Sequence, residues 1–411
     1  MIVIEYKLKG KLKQYQAIDK AIRTCQFIRN KSIRYWMDNQ KVNKYDLSKL
    51  STKLGKEFDF AKRLNSTARQ SSAERAWSAI SRFYDNCKKR TARGEVSSPI
   101  ARSKQKIPGK KGFPKFSKRT RSVEYKQSGW KLDNQTKKHI TFTDKNNIGR
   151  LKLVGSRDIY FYQPEQIKRV RIVKRADGYY AQFCISIEVK EYVPATGKTI
   201  GLDVGLKEFY TDSNGQSIPN PRFYRKSEAR LKKAHRAVSK KKKGSANRKK
   251  AIKKLAKQHL KISRQRNDHA VKLARCVVKS NDLIAYEDLR IKNMVKNHCL
   301  SKSINDAGWY QFRVKLEFFG KKFDKVTVAV QPNYTSQKCS NCGAIVKKSL
   351  SIRTHICQCG CELDRDRNAA INILESALAT VGHTGSSILD MVNASGEDTS
   401  IIIGSNTCNS K

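Results

Sequence analysis

The stretch TIGLDVG at residues 199–205 is an apolar run that ends in a carboxylate, Asp203, followed two positions later by a glycine. The stretch DLIAYEDL at 282–289 also contains an apolar run that ends in a carboxylate, Glu287, and a third apolar run, VTVAVQP, follows at 326–332. Buried strands separated by helical segments are typical of an α/β sheet. We therefore predict an α/β domain here, with Asp203 and Glu287 each at the end of a buried strand.

A third carboxylate, Asp366, lies in LDRDRNAAINIL at the start of a predicted helix. Carboxylates at the buried edge of a sheet are costly unless they are paired or bound to a metal. Three that converge would bind Mg²⁺, and two such ions about 3.5 to 4 Å apart can hydrolyse a phosphodiester. The alternative is that these acids only cap strands and helices, a role that suits Asp366 and its neighbour Asp364.

The charge of the chain indicates a polyanionic partner. Its 411 residues include 87 Lys and Arg against 35 Asp and Glu, a formal net charge of +52. This imbalance argues against an ordinary metabolic enzyme and favours a nucleic-acid-binding protein. Residues 225–266 hold 19 cations and one acid on a thin apolar stripe broken by Gly244, which predicts a basic helical hairpin. Residues 92–121 mix Pro, Gly and Ser with cations, which predicts a loop. This loop is either a solvated linker or a segment that contacts nucleic acid.

A cysteine cluster predicts a structural zinc site. Five cysteines fall within 23 residues: Cys339, Cys342, Cys357, Cys359 and Cys361. The first two form a Cys-x2-Cys-Gly knuckle, and four thiolates give a closed tetrahedral zinc site. The second half is irregular. We predict Cys357 and Cys359 as its ligands, because a glycine follows Cys359 as one follows Cys342; Cys361 is the alternative fourth ligand and His355 a further candidate.

The N-terminal half predicts a helical lobe and a β-rich region. Residues 1–20 contain a short strand, and amphipathic helical spacing continues from about 21 to 90. Residues 123–198 contain five apolar stretches that predict strands: ITFT, RLKLVG, DIYFY, RVRIVKR and YYAQFCISIEV. The last two are joined by a hairpin turn at Ala176-Asp177-Gly178, and the set predicts a small barrel or curled sheet.

The two ends of the chain and its apolar runs bear on where the protein is found and on which part is ordered. The start, MIVIEYKLKG, has charges where a signal peptide needs an apolar core, so we expect an intracellular protein. No run approaches the 18 apolar residues that a membrane-spanning helix needs, so no membrane partner is expected. Residues 381–411 contain Lys411 as their only Lys or Arg and are rich in Ser, Gly, Asn and Thr, which predicts a disordered tail.

Taken together, four motifs resemble the RuvC-like nuclease and zinc ribbon of the TnpB (OrfB) family. They are, in order, GLDVGLKEF, IAYEDLRIKNM, YTSQKCSNCG and CGCELDRDRNAAINIL. The family is encoded by bacterial insertion sequences and is related to the type V CRISPR effectors. The basic insert, the hairpin at 174–189 and the GFPKF segment at 112–116 also resemble family features. The resemblance covers nearly the whole chain except the tail after about residue 380.

The resemblance implies an α+β multidomain fold, in which a β-barrel wedge domain is interrupted by a helical lobe and followed by a RuvC/RNase H-like α/β nuclease domain with a zinc ribbon. The implied domains are the wedge at 1–20 and 123–198, the recognition lobe at 21–122, the nuclease at 199–334 with a basic insert at 225–278, the zinc ribbon at 335–363 and a final nuclease helix at 364–380. The departure from the family pattern is the shortened Cys357-x-Cys359 spacing.

The resemblance further implies an RNA-guided DNA endonuclease of a transposable element. A transposon-derived guide RNA would pair with double-stranded target DNA beside a short motif, and one site with two Mg²⁺ ions would cut both strands. The triad carries over to Asp203, Glu287 and Asp366, with Asp364 as the fallback for the third position. The expected state is a monomer on one guide RNA in the prokaryotic cytoplasm, associated with the nucleoid. A guide RNA and its heteroduplex would also account for the charge of +52.

Three other functions compete with guided cleavage. One is a guided DNA-binding repressor that has lost cleavage, although such a protein would be expected to lack at least one of the three carboxylates. A second is a transposase that joins DNA strands with the same carboxylate chemistry. The third is an RNA-binding scaffold without enzymatic activity, which the substitution Asp203→Ala would leave unaffected.

Overall fold

The computed structural model describes residues 2–92, 112–133, 135–156, 159, 161–187, 190–349 and 352–384. The chain divides into two units, residues 1–188 and 189–411. Most of the basic segment at 92–121 lies outside the described residues, and so does the predicted tail from residue 385 onward.

The first unit combines helices with an antiparallel sheet. Its strands are β1 (Ile2–Lys9), β2 (Ser122–Lys126), β3 (Trp130–Leu132), β4 (His139–Phe142), β5 (Gly149–Val154), β6 (Ile167–Arg175) and β7 (Gly178–Ile185). Its helices are α1 (Leu12–Asp38), α2 (Lys44–Glu57), α3 (Asp59–Lys62) and α4 (Ser66–Ala92). Within the described residues, the seven strands form one sheet in the order β2-β6-β7-β1-β5-β4-β3.

Helix α1 and the sheet share one hydrophobic core. Apolar residues of α1 recur at helical spacing and are buried, among them Ile18, Ile22 and Ile28. They pack with the inward side chains of β1, which alternate along the strand as a half-buried strand requires. The hairpin prediction is confirmed, because β6 pairs with β7 through Arg175 and Gly178 around a two-residue turn.

The strand predicted for DIYFY at 158–162 is wrong at the positions that the structure describes. Residues two apart in a strand lie on the same face of the sheet. Ile159 is 3% exposed whereas Phe161 is 81% exposed, so the local backbone turns instead of extending. A short 3₁₀ helix follows at once over Pro164–Gln166.

The second unit contains a mixed sheet. Its strands are β8 (Thr199–Asp203), β9 (Glu208–Asp212), β10 (Ser217–Pro219), β11 (Leu283–Glu287), β12 (Val326–Val330), β13 (Thr354–Ile356) and β14 (Glu362–Asp364). Its helices are α5 (Phe223–Ser239), α6 (Ala246–Lys279), α7 (Ile291–Met294), α8 (His298–Ala307), α9 (Trp309–Phe323) and α10 (Arg365–Thr384). The main sheet has the order β10-β9-β8-β11-β12. Strands β8, β11 and β12 run parallel, whereas β9 and β10 are antiparallel.

Helices cover both faces of this sheet, which explains why its central strands are almost continuously apolar. Ile284 and Tyr286 of β11 face a core that includes residues of α6 and α9. The alternate residues Leu283 and Ala285 face Ile373 of α10 and its neighbours. Alternate residues of β11 therefore place α10 on one face and the α6 and α9 layer on the other.

The basic segment forms the predicted helical hairpin. Helices α5 and α6 pack on each other, and the turn between them contains Gly244 in a left-handed conformation with φ of 86°. Leu231 and Ile262 are the buried residues of the segment 225–266, and most of its cations are exposed. In the described part of the chain, no helix has the length and apolar character needed to cross a bilayer.

Candidate functional site

Two of the predicted carboxylates end neighbouring parallel strands. Strand β8 pairs with β11 in a register that places Leu202 opposite Tyr286. Asp203 and Glu287 are the next residues of their strands, so both lie at the carboxyl edge of the sheet. Adjacent strands are about 4.8 Å apart, which makes these two side chains neighbours.

Helix α10 brings the third carboxylate, Asp366, to the same edge. Asp366 lies in the first turn of α10, which packs across β8. The close packing depends on Gly201, since a Cβ atom at this position would lie 2.1 Å from the carbonyl oxygen of Ala370. Gly201, the first glycine of the GLDVG motif, thus allows α10 to lie against β8.

The electrostatics show that the three carboxylates interact. Burial raises the pKa of Asp203 well above its usual range, and the negative charges of Glu287 and Asp366 raise it further. Burial also raises the pKa of Glu287, although a hydrogen bond from the Thr335 hydroxyl lowers it in part. Burial and the two neighbouring negative charges make the ionised form of Asp203 costly, so this edge of the sheet favours a bound cation.

The alternative capping role belongs to Asp364. Its Oδ1 atom accepts hydrogen bonds from the backbone N–H groups of Asp366 at 2.8 Å and Arg367 at 3.2 Å, as a helix cap does. Asp366 instead pairs with two guanidinium groups, those of Arg353 at 3.1 Å and Arg365 at 3.0 Å. Its side chain is only 16% exposed, so these pairs neutralise a largely enclosed charge.

The cysteine cluster is assembled more tightly than the carboxylates. The Sγ atoms of Cys339, Cys342, Cys357 and Cys359 all lie within 4.8 Å of one another. Among the described residues, this is the only set of three or more potential ligands that converges in this way, and the three carboxylates do not form such a set. The oxygens of Asp366 are paired with guanidinium groups instead.

The sulfur geometry fits zinc. A tetrahedral site with Zn–S distances of about 2.3 Å places its sulfurs about 3.8 Å apart. The Sγ atoms of Cys339 and Cys359 are 3.7 Å apart, and those of Cys342 and Cys357 are 3.5 Å apart. These thiols would hold a structural Zn²⁺ ion with no open position.

Each half of the cluster closes a tight turn with a glycine N–H, although the first hydrogen bond spans four residues and the second spans three. In the first, Gly343 donates to the carbonyl of Cys339 at 2.9 Å, and in the second Gly360 donates to that of Cys357 at 3.0 Å. Both glycines adopt left-handed conformations, with φ of 79° and 82°. The glycine after each second cysteine therefore closes a tight turn in a left-handed conformation, and the glycine after Cys359 is the feature that favoured this cysteine in the sequence.

The other two ligand candidates lie outside this set of four. Cys361 uses its backbone carbonyl to accept a hydrogen bond from the N–H of Cys357 at 3.0 Å. His355 is fully buried, and its Nδ1 atom contacts the ammonium group of Lys348. Burial opposes ionisation of Cys339, but backbone N–H groups and the His355 ring lower the pKa of this thiol to about 5. The His355 side chain thus adjoins the cluster and stabilises a thiolate.

Sequence reasoning missed three polar residues that join these two sites. Thr335 donates a hydrogen bond of 2.6 Å to the Oε1 atom of Glu287. The side chain of Asn372 donates to the carbonyls of Thr335 and Lys338, and that of Asn368 donates to Lys338. The signal was the spacing of the two asparagines at i and i+4 in the apolar stretch NAAINIL, which places both on one face of α10.

Two family models match the second unit for most of its length. The OrfB_IS605 model, described as "Probable transposase", matches residues 182–298. The Cas12f1-like TNB domain model matches residues 309–373. The first match spans Asp203 and Glu287, and the second spans the cysteine cluster and Asp366.

Curated relatives carry related names. A "Putative RNA-guided DNA endonuclease" of Streptomyces pristinaespiralis is 42% identical over 188 residues, which is 45% of this chain and 47% of that protein. The "Putative RNA-guided DNA endonuclease InsQ" of Escherichia coli strain K12 is 29% identical over 287 residues, 66% of this chain and 69% of that protein. The match thus spans about half the length of the first relative.

A solved structure shares the fold. The Cas12f1 chain of a cryo-EM complex with sgRNA and target DNA superposes with a TM-score of 0.51, covering 88% of this chain and 83% of that one at 13% identity. At this identity the likeness concerns the fold alone. The family matches and the relatives, which include three proteins of Acanthamoeba polyphaga mimivirus named TnpB-like, agree with the motifs quoted above. The second unit of the chain is therefore similar to proteins of the TnpB (OrfB) family.

Proposed function

We propose that this protein is an RNA-guided DNA endonuclease that hydrolyses phosphodiester bonds at Asp203, Glu287 and Asp366. The observation that carries the proposal is the position of these carboxylates at one edge of a sheet, where burial and the charges of Glu287 and Asp366 raise the pKa of Asp203. Two relatives bear the name RNA-guided DNA endonuclease, which supports the same activity for this chain.

The proposed architecture follows from this assignment. The sheet of β8 to β12 with its covering helices would be the RuvC-like nuclease domain, and β13 and β14 with the four cysteines would be its zinc ribbon. In the first unit, the antiparallel sheet would be the wedge domain and α1 to α4 the recognition lobe. Helix α1 begins at Leu12, so it would start before the boundary expected at residue 20.

The carboxylates would hold the metal ions of the reaction. Their oxygens are the ligands that Mg²⁺ prefers, and their enclosure makes each charge costly without a cation. Two bound Mg²⁺ ions would supply an activated water and stabilise the leaving oxygen of the phosphodiester. Asp366 would have to release Arg353 or Arg365 for one of its oxygens to reach a cation.

Cationic surfaces would hold the nucleic acids. Helices α5 and α6 carry most of the 19 cations of residues 225–266, and their outward positions suit contacts to a phosphate backbone. Such contacts position a duplex without reading its sequence. Pairing between guide RNA and target DNA would then supply the specificity.

The test begins with the RNA that binds this protein. The chain would be expressed with its flanking genomic DNA and purified, and the co-purifying RNA would be sequenced. A discrete transcript that ends at the element boundary supports guided cleavage. Heterogeneous RNA that is released by salt contradicts it.

Cleavage of a matched plasmid then tests the carboxylates. Asp203→Ala is expected to abolish cleavage while RNA binding persists, and Asp366→Asn should do the same. Asp364→Asn is the matched control, because asparagine also caps a helix, and it should cleave close to the wild-type rate. An inactive Asp364→Asn beside an active Asp366→Asn would refute the triad. Strand transfer of linear transposon ends would instead indicate a transposase, and binding without cutting a repressor.

A further inference from the structure

The hydroxyl group of Thr335 is the side-chain partner of a proposed metal ligand. It donates a 2.6 Å hydrogen bond to Oε1 of Glu287. Thr335 is 9% exposed, so water competes little for this bond. Among the described residues, the other oxygen of Glu287, Oε2, accepts no hydrogen bond. One oxygen is thus held in place and the other is left for a cation.

The backbone of Thr335 is itself held by α10. The Asn372 side chain donates to the carbonyl of Thr335 at 2.8 Å and to that of Lys338 at 2.7 Å. Asn368 donates to Lys338 at 2.8 Å and accepts from the N–H of Ser340 at 3.0 Å. Both asparagines are buried, with 0% and 3% exposure, so these bonds are costly to break.

The same short segment leads into the zinc cluster. Cys339 lies four residues after Thr335 and one after Lys338, whose carbonyl both asparagines bind. The Cys339 N–H donates to the carbonyl of Ala344 at 2.8 Å, which closes the first knuckle. The knuckle and α10 therefore fix residues 335–340 from two sides.

From this geometry we infer that Thr335 is a positioning residue of the nuclease site, which orients Glu287 for metal binding and links it to the zinc ribbon. The inference rests on the proposed function. Partners that hydrogen-bond to a metal ligand set its orientation, and losing one typically costs 10- to 100-fold in metal affinity or activity. Without the Thr335 hydroxyl, the Glu287 carboxylate could rotate, and we expect a similar loss of metal affinity.

The experiment compares Thr335→Val, Thr335→Ser and the matched control Thr354→Val, which changes an exposed threonine of β13. Mn²⁺ binding to the RNA-free protein is followed by electron paramagnetic resonance of the free ion, with Asp203→Ala as the blank. Guided cleavage is measured over a range of Mg²⁺ concentrations. Zinc content and melting temperature are recorded for each variant.

We expect Thr335→Val to weaken Mn²⁺ binding about tenfold and to need correspondingly more Mg²⁺ for cleavage. Thr335→Ser retains the hydroxyl and should stay within about twofold of the wild type on both readouts, as should Thr354→Val. Zinc content should be unchanged in all three variants, because the cysteines are intact.

Three results would overturn the assignment. The first is wild-type Mn²⁺ affinity in Thr335→Val. The second is a Thr335→Ser variant as impaired as Thr335→Val, which would assign the effect to packing. The third is loss of zinc or early melting in Thr335→Val, which would assign the hydroxyl to folding. If the wild-type protein cuts no guided DNA, the proposed function fails, and the Mn²⁺ titration still decides the role of Thr335.

Discussion

Replacing Gly201 with alanine should displace α10 from the sheet. The added Cβ atom would lie 2.1 Å from the carbonyl oxygen of Ala370 and 2.9 Å from Cβ of Leu374. Real Cβ atoms essentially never come within 3.0 Å of another heavy atom, so the oxygen contact is too short by at least 0.9 Å. Both obstacles belong to α10 itself, and a backbone carbonyl cannot rotate away as a flexible side chain can. The helix as a whole must therefore shift.

The shift should cost both stability and cleavage. Forcing extra volume into a packed interior typically costs about 1 to 3 kcal/mol. In a unit of this size each kcal/mol lowers the melting temperature by about 2 to 4 °C, so we expect a decrease of roughly 2 to 12 °C. Asp366 moves with α10, and a misplacement of about 1 Å in a catalytic arrangement can cost about 100-fold in rate.

The assay pairs thermal unfolding with guided plasmid cleavage. Gly382→Ala is the matched control, because it changes another glycine of α10 whose Cβ would meet no atom within 4 Å. Alanine is favoured over glycine in a helix by about 1 kcal/mol, so the control should be as stable as the wild type or slightly more. The reasoning would be refuted if Gly201→Ala melted within about 1 °C of the wild type, which is roughly the error of the measurement, and cleaved DNA at the wild-type rate.

Two further predictions concern the ribbon and one ion pair. Cys339→Ser should lose the bound zinc and melt at a lower temperature, whereas Cys361→Ser should retain the zinc. Metal analysis of the purified proteins checks both expectations. Loss of zinc from Cys361→Ser would show instead that Cys361 is the fourth ligand. Burial alone would raise the pKa of Asp282, but buried Lys325 and two backbone N–H groups hold this pKa below its usual range. The stability from ionised Asp282 should therefore be fully present above its unfolded pKa of about 3.9 and lost as the pH falls through its folded pKa. The melting difference between wild type and Asp282→Asn should shrink below about pH 4, and a constant difference would contradict this.

The parallel strands could be predicted from the sequence because their burial leaves a strong pattern. The runs before Asp203 and Glu287 are apolar at nearly every position, as strands covered on both faces must be. A carboxylate that ends such a run is conspicuous, since burial would otherwise exclude it. The same physical constraint therefore revealed both the strands and two of the candidate site residues.

The edge strands β9 and β10 left no comparable signal. Strand β10 has three residues and ends at Pro219, and strands this short carry too few positions for alternation to be seen. The reverse error occurred at 158–162, where aromatic residues suggested a strand that the burial of Ile159 and exposure of Phe161 exclude. In both cases tertiary contacts decide the structure, and the local residue types do not report them.

Thr335 shows why the supporting contacts of a site are harder to predict than its ligands. Threonine is common in strands and turns, and nothing in YTSQKC distinguishes a hydroxyl that binds a carboxylate 48 positions away from one that faces water. Its role appears only when the fold places residues 335–340 beside β11. The cysteines, by contrast, cluster in the sequence, because both halves of a zinc knuckle pair are local turns.

Helix α10 connects the features on which the proposed function depends. Ile373 and Ala377 of its apolar half pack on the sheet, and the close approach at Gly201 fixes its distance from β8. Its first turn carries Asp366, and Asn368 and Asn372 hold the segment that contains Thr335. A displacement of α10 would therefore move Asp366 and loosen Thr335, the hydrogen-bond partner of Glu287. The short motif NAAINIL therefore combines apolar residues that pack on the sheet with asparagines that hold the segment before the cysteines, and α10 needs both at helical spacing to carry Asp366 to the edge of the sheet.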